Sequence, residues 1–197
     1  MIWRKTDGKK TVCLTFDDGP IPEVTPHILR ILEEKNVKAT FFVVGENVDK
    51  HPDLLRAIVD AGHRVGNHTY HHIKGLKTSC EAYLSDAERC QGSIDALVGG
   101  KAAEGVRLFR PPYGRFTLSQ KRALQKRGYT LVLWDVLTHD YNRRFSQRKM
   151  LEVVRKYTRH GSVVVFHDSL KSGDRMLATL PLAIDYWREQ GCEFALL

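Results

Sequence analysis

The segment Val12-Cys13-Leu14-Thr15-Phe16-Asp17-Asp18-Gly19-Pro20 places a largely apolar run directly before two carboxylates and a turn sequence. A short run rich in apolar and β-branched residues predicts a buried strand over Val12–Phe16. Strands of this kind are typical of parallel sheets that are covered on both faces. The segment therefore favours an α/β fold in which polar side chains leave the carboxyl end of a strand.

The rest of the chain repeats this pattern, with helical stretches between the strands. Further strands are predicted over residues 39–44, 63–67, 106–109, 129–134, 162–166 and 192–197. Parallel neighbours need crossover connections, so seven strands separated by helices indicate a parallel sheet, either open and doubly wound or closed into a barrel. Because the 197 residues contain no linker and no repeat, we expect one domain over residues 1–197.

Three helix starts are marked by prolines and capping residues. Thr25-Pro26 predicts one start, with Thr25 as the cap and the proline in the first turn. Thr78 with Glu81, and Thr117 with Gln120, have the spacing of a capping box. These signals predict helices after the first strand, after residue 78 and after residue 117.

Polar side chains follow five of the predicted strands at their carboxyl ends. They are Asp17-Asp18, His68 with His72, Arg110 with Tyr113, Asp135 with Asp140, and His167-Asp168. In parallel α/β folds the carboxyl ends of the strands meet at one edge, where functional sites are built. We therefore expect these side chains to form one site.

His68 and His72 are spaced i,i+4, which brings two imidazoles onto one face of a helix or turn. Imidazole binds Zn²⁺ and related metals, and a carboxylate from Asp18 would complete an open site with room for water. A surface histidine cluster without a metal is the alternative, and His71 fits that alternative better. Zn²⁺ is the first choice by ligand softness, with Co²⁺, Ni²⁺ and Mn²⁺ as alternatives.

Two further segments carry groups suited to acyl transfer. In Arg110-Pro111-Pro112-Tyr113 the prolines stiffen the loop, so the Tyr113 N–H is held as an oxyanion donor. Arg110 could pair with a carboxylate, and His167 at a strand end could act as a general acid. A stiff loop with a surface arginine, and a histidine satisfied in the core, are the structural alternatives.

Together these segments resemble the polysaccharide deacetylase family, carbohydrate esterase family four, from about Val12 to the C-terminus. Thr15-Phe16-Asp17-Asp18-Gly19-Pro20 matches its first motif, His68-Thr69-Tyr70-His71-His72 its H-[ST]-x-x-H motif, and Arg110-Pro111-Pro112-Tyr113 its R-x-P-Y motif. The resemblance implies a distorted (β/α)₇ barrel. It also implies a metal-dependent hydrolase that releases acetate from N-acetylated sugars, such as the N-acetylglucosamine of peptidoglycan or chitooligosaccharides.

The resemblance implies a role for each matching residue. Three side chains would bind the metal, namely Asp18, His68 and His72. Asp17 would be the general base, oriented by Arg110. His167 would protonate the leaving amine, oriented by Asp140, and the Tyr113 N–H would hold the oxyanion together with the metal.

The chain departs from the family pattern at three positions. In the fourth motif, usually D-x-x-D-W, Leu137 replaces the first Asp and Tyr141 replaces Trp. In the fifth motif, Val165 stands where Leu is usual, two residues before the histidine. By the resemblance, Tyr113, Tyr141 and Val165 would contact the substrate. The changes at Tyr141 and Val165 therefore bear on the choice of substrate more than on the chemistry, since Asp140 and His167 are present.

Two other functions stay open on the same residues. Hydrolysis of another C–N bond, in a formamide, a cyclic imide or a small acyl amine, is compatible with the changed pocket. A non-catalytic glycan-binding relative is the second alternative, but such a protein would be free to lose Asp17 or a metal ligand, and both are present.

Charge and hydropathy limit the partners and the location. The net charge is +8, and a basic surface could attract nucleic acid, anionic lipid or an acidic glycan. No nucleic-acid motif accompanies the scattered cations, so we expect no nucleic-acid partner. No apolar run approaches the roughly 18 residues of a membrane span, and no signal pattern opens the chain. The chain as given is expected in the cytoplasm, or in the envelope or outside the cell if an N-terminal segment was removed.

Overall fold

Eight parallel β-strands run through the part of the chain that the computed structural model describes, which is residues 1–5, 10–99 and 106–197. In chain order they are β1 (Thr11–Asp17), β2 (Thr40–Val43), β3 (Arg64–Asn67), β4 (Arg107–Phe109), β5 (Tyr129–Leu131), β6 (Val136–Leu137), β7 (Ser162–His167) and β8 (Glu193–Phe194). The order across the sheet is β5-β4-β3-β2-β1-β7-β6, and β8 pairs with the beginning of β1. β1 is therefore an interior strand that pairs with three others, β2, β7 and β8.

Seven α-helices connect these strands within the same residues. They are α1 (Thr25–Glu34), α2 (Gly45–Lys50), α3 (Pro52–Asp60), α4 (Cys80–Val98), α5 (Leu118–Lys126), α6 (Gln147–Tyr157) and α7 (Gly173–Glu189). None of these helices is long and apolar enough to cross a membrane.

The sheet curls until its two ends lie close together. β5 and β6 are at opposite ends of the strand order, yet residues 132–135 alone join them. The N-terminal segment packs against this crossing, since the Ile2 N–H donates to Leu131 and the Leu133 N–H donates to Ile2, both at 2.8 Å. A curled parallel sheet with helices between its strands agrees with the distorted (β/α)₇ barrel that the resemblance implies.

Side chains along β1 point alternately to the two faces of the sheet, so its buried residues pack in two different clusters. Val12, Leu14 and Phe16 pack in the large core between the strands and the outer helices. Cys13 packs with residues of β2, β4 and β7 in a second cluster. Thr15 and Asp17 share the face of Cys13, so that face leads directly to the carboxylate at the end of the strand.

Two sequence predictions about the strands and helices need correction. The fifth strand ends at Leu131 rather than at 134, because the chain leaves the sheet edge and re-enters at the other end as β6. The short strand β6 and the short helix α2 were not predicted, since two and six residues are too few to show a period.

The predicted caps are correct at one helix and wrong at two. Thr117 and Gln120 form the expected capping box of α5. At α4 the cap is Ser79, whose hydroxyl accepts from the Ala82 N–H at 3.2 Å. Thr25 is not a cap either, because it lies inside α1 and its hydroxyl donates to Asp168 instead.

Candidate active site

The carboxyl ends of the strands open into a groove of about 840 Å³. Its walls include most of the polar residues that follow the predicted strands, namely Asp17, Asp18, His68, His72, Tyr113 and His167. The remaining walls come from the loops after β3 to β7 and from Leu137 of β6. The sequence prediction of one site at this edge is therefore correct for these residues.

Arg110 lies under the groove and holds Asp17. It is fully buried, and its Nη1 donates to Asp17 Oδ1 and to Thr15 Oγ1, both at 2.7 Å. Its guanidinium also lies 4.1 Å from the centre of the Phe42 ring. Since β4 supplies Arg110 through the residue after its end, the neighbouring strands fix the orientation of the Asp17 carboxylate.

The charges around Asp17 keep it ionised. Burial by itself would raise the pKa of this carboxyl group, but its pKa is held below the ordinary value, chiefly by the charge of Arg110. Oδ1 is taken by Arg110, whereas Oδ2 faces the groove, 4.0 Å from His68 Nε2. A carboxylate with one oxygen held and one oxygen free can accept a proton.

Asp18, His68 and His72 bring three ligand atoms together beside Asp17. The atoms lie within 4.8 Å of one another. Asp18 Oδ1 is 3.6 Å from His68 Nε2 and 3.3 Å from His72 Nε2. This buried oxygen has no hydrogen-bond partner among the described residues. Acceptor atoms that face each other without a donor fit a shared cation, so these residues suit a divalent metal.

The ring of His68 is oriented by the backbone. Its Nδ1 lies 2.6 Å from the Arg110 carbonyl oxygen, so Nδ1 carries the proton and Nε2 has a free lone pair. Burial lowers the pKa of His68 to about 4, although Asp17 opposes this shift. The imidazole is therefore neutral, as metal ligation requires.

The loop after β3 gives His68 and His72 their relative position without a helix. Thr69 and His72 have positive φ values of 65° and 53°, which turn the chain back on itself. Asp86 of α4 holds this loop, since its Oδ1 accepts from the N–H groups of Tyr70 at 2.7 Å and His71 at 3.0 Å. Its Oδ2 lies 2.6 Å from His71 Nδ1, so His71 anchors the loop rather than joining the ligands.

His167 and Asp140 form a second charged pair across the groove from the ligand residues. Asp140 is fully buried, and its Oδ1 lies 2.7 Å from His167 Nδ1 while its Oδ2 accepts from the His167 N–H at 2.6 Å. Burial lowers the pKa of His167, but the hydrogen bond and charge of Asp140 outweigh burial and raise it to about 9. His167 thus carries a proton at neutral pH.

Tyr113 has a strained backbone and an exposed ring. Its φ is 61°, inside a short helical turn over Pro112–Gly114, and half of the residue is exposed. Its ring lies 4.8 Å from that of His72. A positive φ in a bulky residue is costly and points to a fixed backbone orientation beside the metal ligands.

The residues predicted to contact substrate differ in position. Tyr141 lines the groove and packs edge-on against His167, with ring centres 5.1 Å apart. Val165 is fully buried in β7 and is absent from the groove walls, so its predicted substrate contact does not hold. Leu137 does line the groove. Sequence could not reveal the burial of Val165, because it depends on the strands on either side of β7, where Thr15 of β1 and Leu137 of β6 are its register partners.

Two aspartates at predicted strand ends have other roles. Asp135 binds the opposite end of β7, through Ser162 Oγ at 2.9 Å and the Val163 N–H at 2.9 Å. Asp168 lies beneath the site, where burial raises its pKa to about 7 and its Oδ2 accepts from Thr25 at 2.6 Å. A Cβ at Gly19 would lie 2.1 Å from this oxygen, so Asp168 packs directly against the first motif.

Comparison with known proteins agrees with this geometry. The polysaccharide deacetylase family model matches residues 4–132. A peptidoglycan-N-acetylglucosamine deacetylase of Bacillus cereus is 38% identical over 134 residues, which is 68% of this chain and 47% of that protein. The chain thus spans about half the length of that relative.

Two solved structures extend the likeness over the whole chain. A peptidoglycan N-acetylglucosamine deacetylase in complex with an N-hydroxybenzamide derivative superposes with a TM-score of 0.93 at 31% identity, covering 100% of this chain and 90% of that chain. A family-four pseudoenzyme from Bacillus anthracis superposes with a TM-score of 0.87 at 28% identity, covering 100% of this chain and 66% of that chain. Motifs, barrel and matched residues agree, and this chain belongs to the polysaccharide deacetylase family.

Proposed function

We propose that this protein is a metal-dependent hydrolase that removes the acetyl group from N-acetylated sugars of a glycan, releasing acetate and a free amine. The observation that carries the proposal is that Asp17, held by Arg110, and His167, held by Asp140, line one groove beside three ligand residues. Such a pair supplies a base and an acid to the same bond. The name of the Bacillus cereus relative favours N-acetylglucosamine in peptidoglycan as the substrate.

Asp18, His68 and His72 would hold the metal, for which we propose Zn²⁺. When bound there, the ion would supply a Lewis acid for the acetamido carbonyl and acidify water. The residues of the chain provide the rest of the chemistry.

In this mechanism Asp17 Oδ2 takes the proton of the water that attacks the acetamido carbon. The resulting oxyanion accepts a hydrogen bond from the Tyr113 N–H, a donor worth on the order of 3 kcal/mol. His167 then donates its Nε2 proton to the nitrogen, because Asp140 holds Nδ1. The C–N bond breaks, acetate forms, and the sugar leaves as a free amine.

The first test is release of acetate from N-acetylglucosamine oligomers and from peptidoglycan, with added Zn²⁺ and with a chelator. We expect release that the chelator abolishes and Zn²⁺ restores. Metal-loaded protein that releases no acetate would contradict the proposal, and formamides, cyclic imides and small acyl amines would then be the next substrates.

A variant of Asp17 distinguishes an active enzyme from a pseudoenzyme that binds glycan without turning it over. Asp17→Asn should keep its metal, measured by elemental analysis, and lose about 10²- to 10⁴-fold in rate. Asp53→Asn, an exposed position on α3, is the matched control and should remain fully active. Equal rates for Asp17→Asn and the control would refute the role of Asp17.

A further inference from the structure

Four exposed cationic side chains line the groove around the proposed reaction centre. They are Lys74, Lys77, Arg115 and Lys171. The acidic side chains of the same walls are Asp17, paired with Arg110, and Asp18, one of the three ligand residues. Neither can neutralise the rim, so the mouth of the groove carries positive charge.

These cations are free to act on a ligand. None of the four has a carboxylate within ion-pair distance among the described residues. Cations elsewhere on the surface do have such partners, for example Lys35 with Asp185 at 2.6 Å and Arg107 with Asp95 at 3.3 Å. The excess charge of +8 is therefore partly concentrated at the groove.

Two of the cations are held over aromatic rings that flank the site. Lys74 Nζ lies 5.0 Å from the centre of the Tyr113 ring, on the loops after β3 and β4. Lys171 Nζ lies 5.8 Å from the centre of the Tyr141 ring, on the loops after β7 and β6. In strand order these two pairs lie on either side of β1, which carries Asp17. A ring provides a surface for a sugar, and the ammonium provides a charge beside it.

We infer that the groove prefers an N-acetylated glycan in which the sugars next to the N-acetylated one carry carboxylates. Lys74 and Lys171 would bind these carboxylates. The inference rests on the proposed deacetylase function and names the substrate class of the same site. A neutral chain of N-acetylglucosamine would leave the rim charges without partners, whereas a carboxylated chain would pair with them and be drawn to the groove by long-range attraction.

The test uses two substrates that differ only in charge. One is a tetrasaccharide of alternating N-acetylglucosamine and N-acetylmuramic acid with free lactyl carboxylates, and the other is the same tetrasaccharide with carboxamides in their place. The zinc-loaded full chain should show a kcat/KM for the charged form roughly two- to fivefold higher per engaged lysine. The preference should fall as salt is raised to about 1 M, where the Debye length is about 3 Å.

Variants test whether Lys74 and Lys171 cause the preference for the charged substrate. Lys74→Gln and Lys171→Gln should each lower the ratio of the two kcat/KM values, and the double variant should bring it close to one. Lys126→Gln, on the exposed end of α5 and outside the groove, is the matched control and should keep the wild-type ratio.

The outcomes separate this inference from the proposed function. Equal kcat/KM values for the two substrates, unaffected by salt, would overturn the inference while leaving the deacetylase function in place. A preference that survives in the double variant would overturn the assignment to Lys74 and Lys171. Absence of acetate from both substrates would instead contradict the deacetylase function itself.

Discussion

Replacing Arg110 with methionine should destabilise the protein more than any exposed ion-pair variant. The change removes the cation but keeps an unbranched side chain that can pack beside Phe42. Asp17 would then be a buried carboxylate without its partner, and the Thr15 hydroxyl and the Leu133 carbonyl would each lose a donor. Removing the carboxylate as well should relieve most of the electrostatic part of this cost.

The geometry sets the size of the effect. At the 2.7 Å separation of Arg110 Nη1 and Asp17 Oδ1, an effective dielectric constant of about 20 gives an attraction of about 6 kcal/mol. Desolvation of both groups offsets part of this attraction, so we expect the single variant to lose about 3–5 kcal/mol of unfolding free energy. Arg110→Met/Asp17→Asn should be at least about 2 kcal/mol more stable than Arg110→Met alone.

The assay is urea unfolding of the metal-free proteins, followed by circular dichroism, with a double-mutant cycle over the two positions. Arg107→Met is the matched control, because its pair with Asp95 is 3.3 Å long and half exposed. The control should change by less than about 1 kcal/mol. A double variant no more stable than Arg110→Met would refute the claim that an unpaired buried charge causes the loss.

Two further changes test the acid and the ligand loop. The pKa of His167 is raised to about 9 from an ordinary 6.5. Stabilisation by the His167–Asp140 pair should therefore be complete below pH 6.5 and be lost as the pH rises through about 9. In Asp140→Asn, burial remains while the hydrogen bond and charge that raise the pKa of His167 are lost, so the alkaline limit of acetate release should move to lower pH; an unchanged pH profile would exclude Asp140 as the orienting group. Asp86→Ala frees two backbone N–H groups of the loop after β3, and calorimetry should show about 10- to 100-fold weaker zinc binding with an unchanged fold; unchanged affinity would mean that the loop needs no anchor.

The residues at strand ends were predictable because the signal is local. Asp17, Arg110 and His167 each follow an apolar run directly, and a parallel sheet brings such positions to one edge. Asp135 also follows a predicted strand, but the chain changes sheet edges there. Its carboxylate consequently binds the beginning of β7 rather than the groove.

Other parts of the site depend on contacts between distant segments. Asp86 lies on α4, 15 residues after His71, and holds the loop that contains His71. Nothing in the sequence around Asp86 predicts this contact. Val165 and Leu137 are register partners in adjacent strands, but only Leu137 lines the groove. The period of two predicts which face of a strand a side chain occupies. It does not predict how far along the barrel axis that side chain lies. The location of the protein in the cell stays a prediction.

The pairing of β1 with three other strands has a consequence for how the protein unfolds on heating. All seven residues of β1 are buried, and the strand is hydrogen-bonded to β2, β7 and β8. Strands of this kind exchange their amide hydrogens through global rather than local opening. Asp17 is the last residue of β1, and its carbonyl accepts from the Asp168 N–H at 2.7 Å. The base thus belongs to the last cooperative unit to melt, whereas the loop after β3, which bears both His72 and Lys74, can loosen earlier, so a metal ligand and a rim cation would be lost before the strand that holds the base opens.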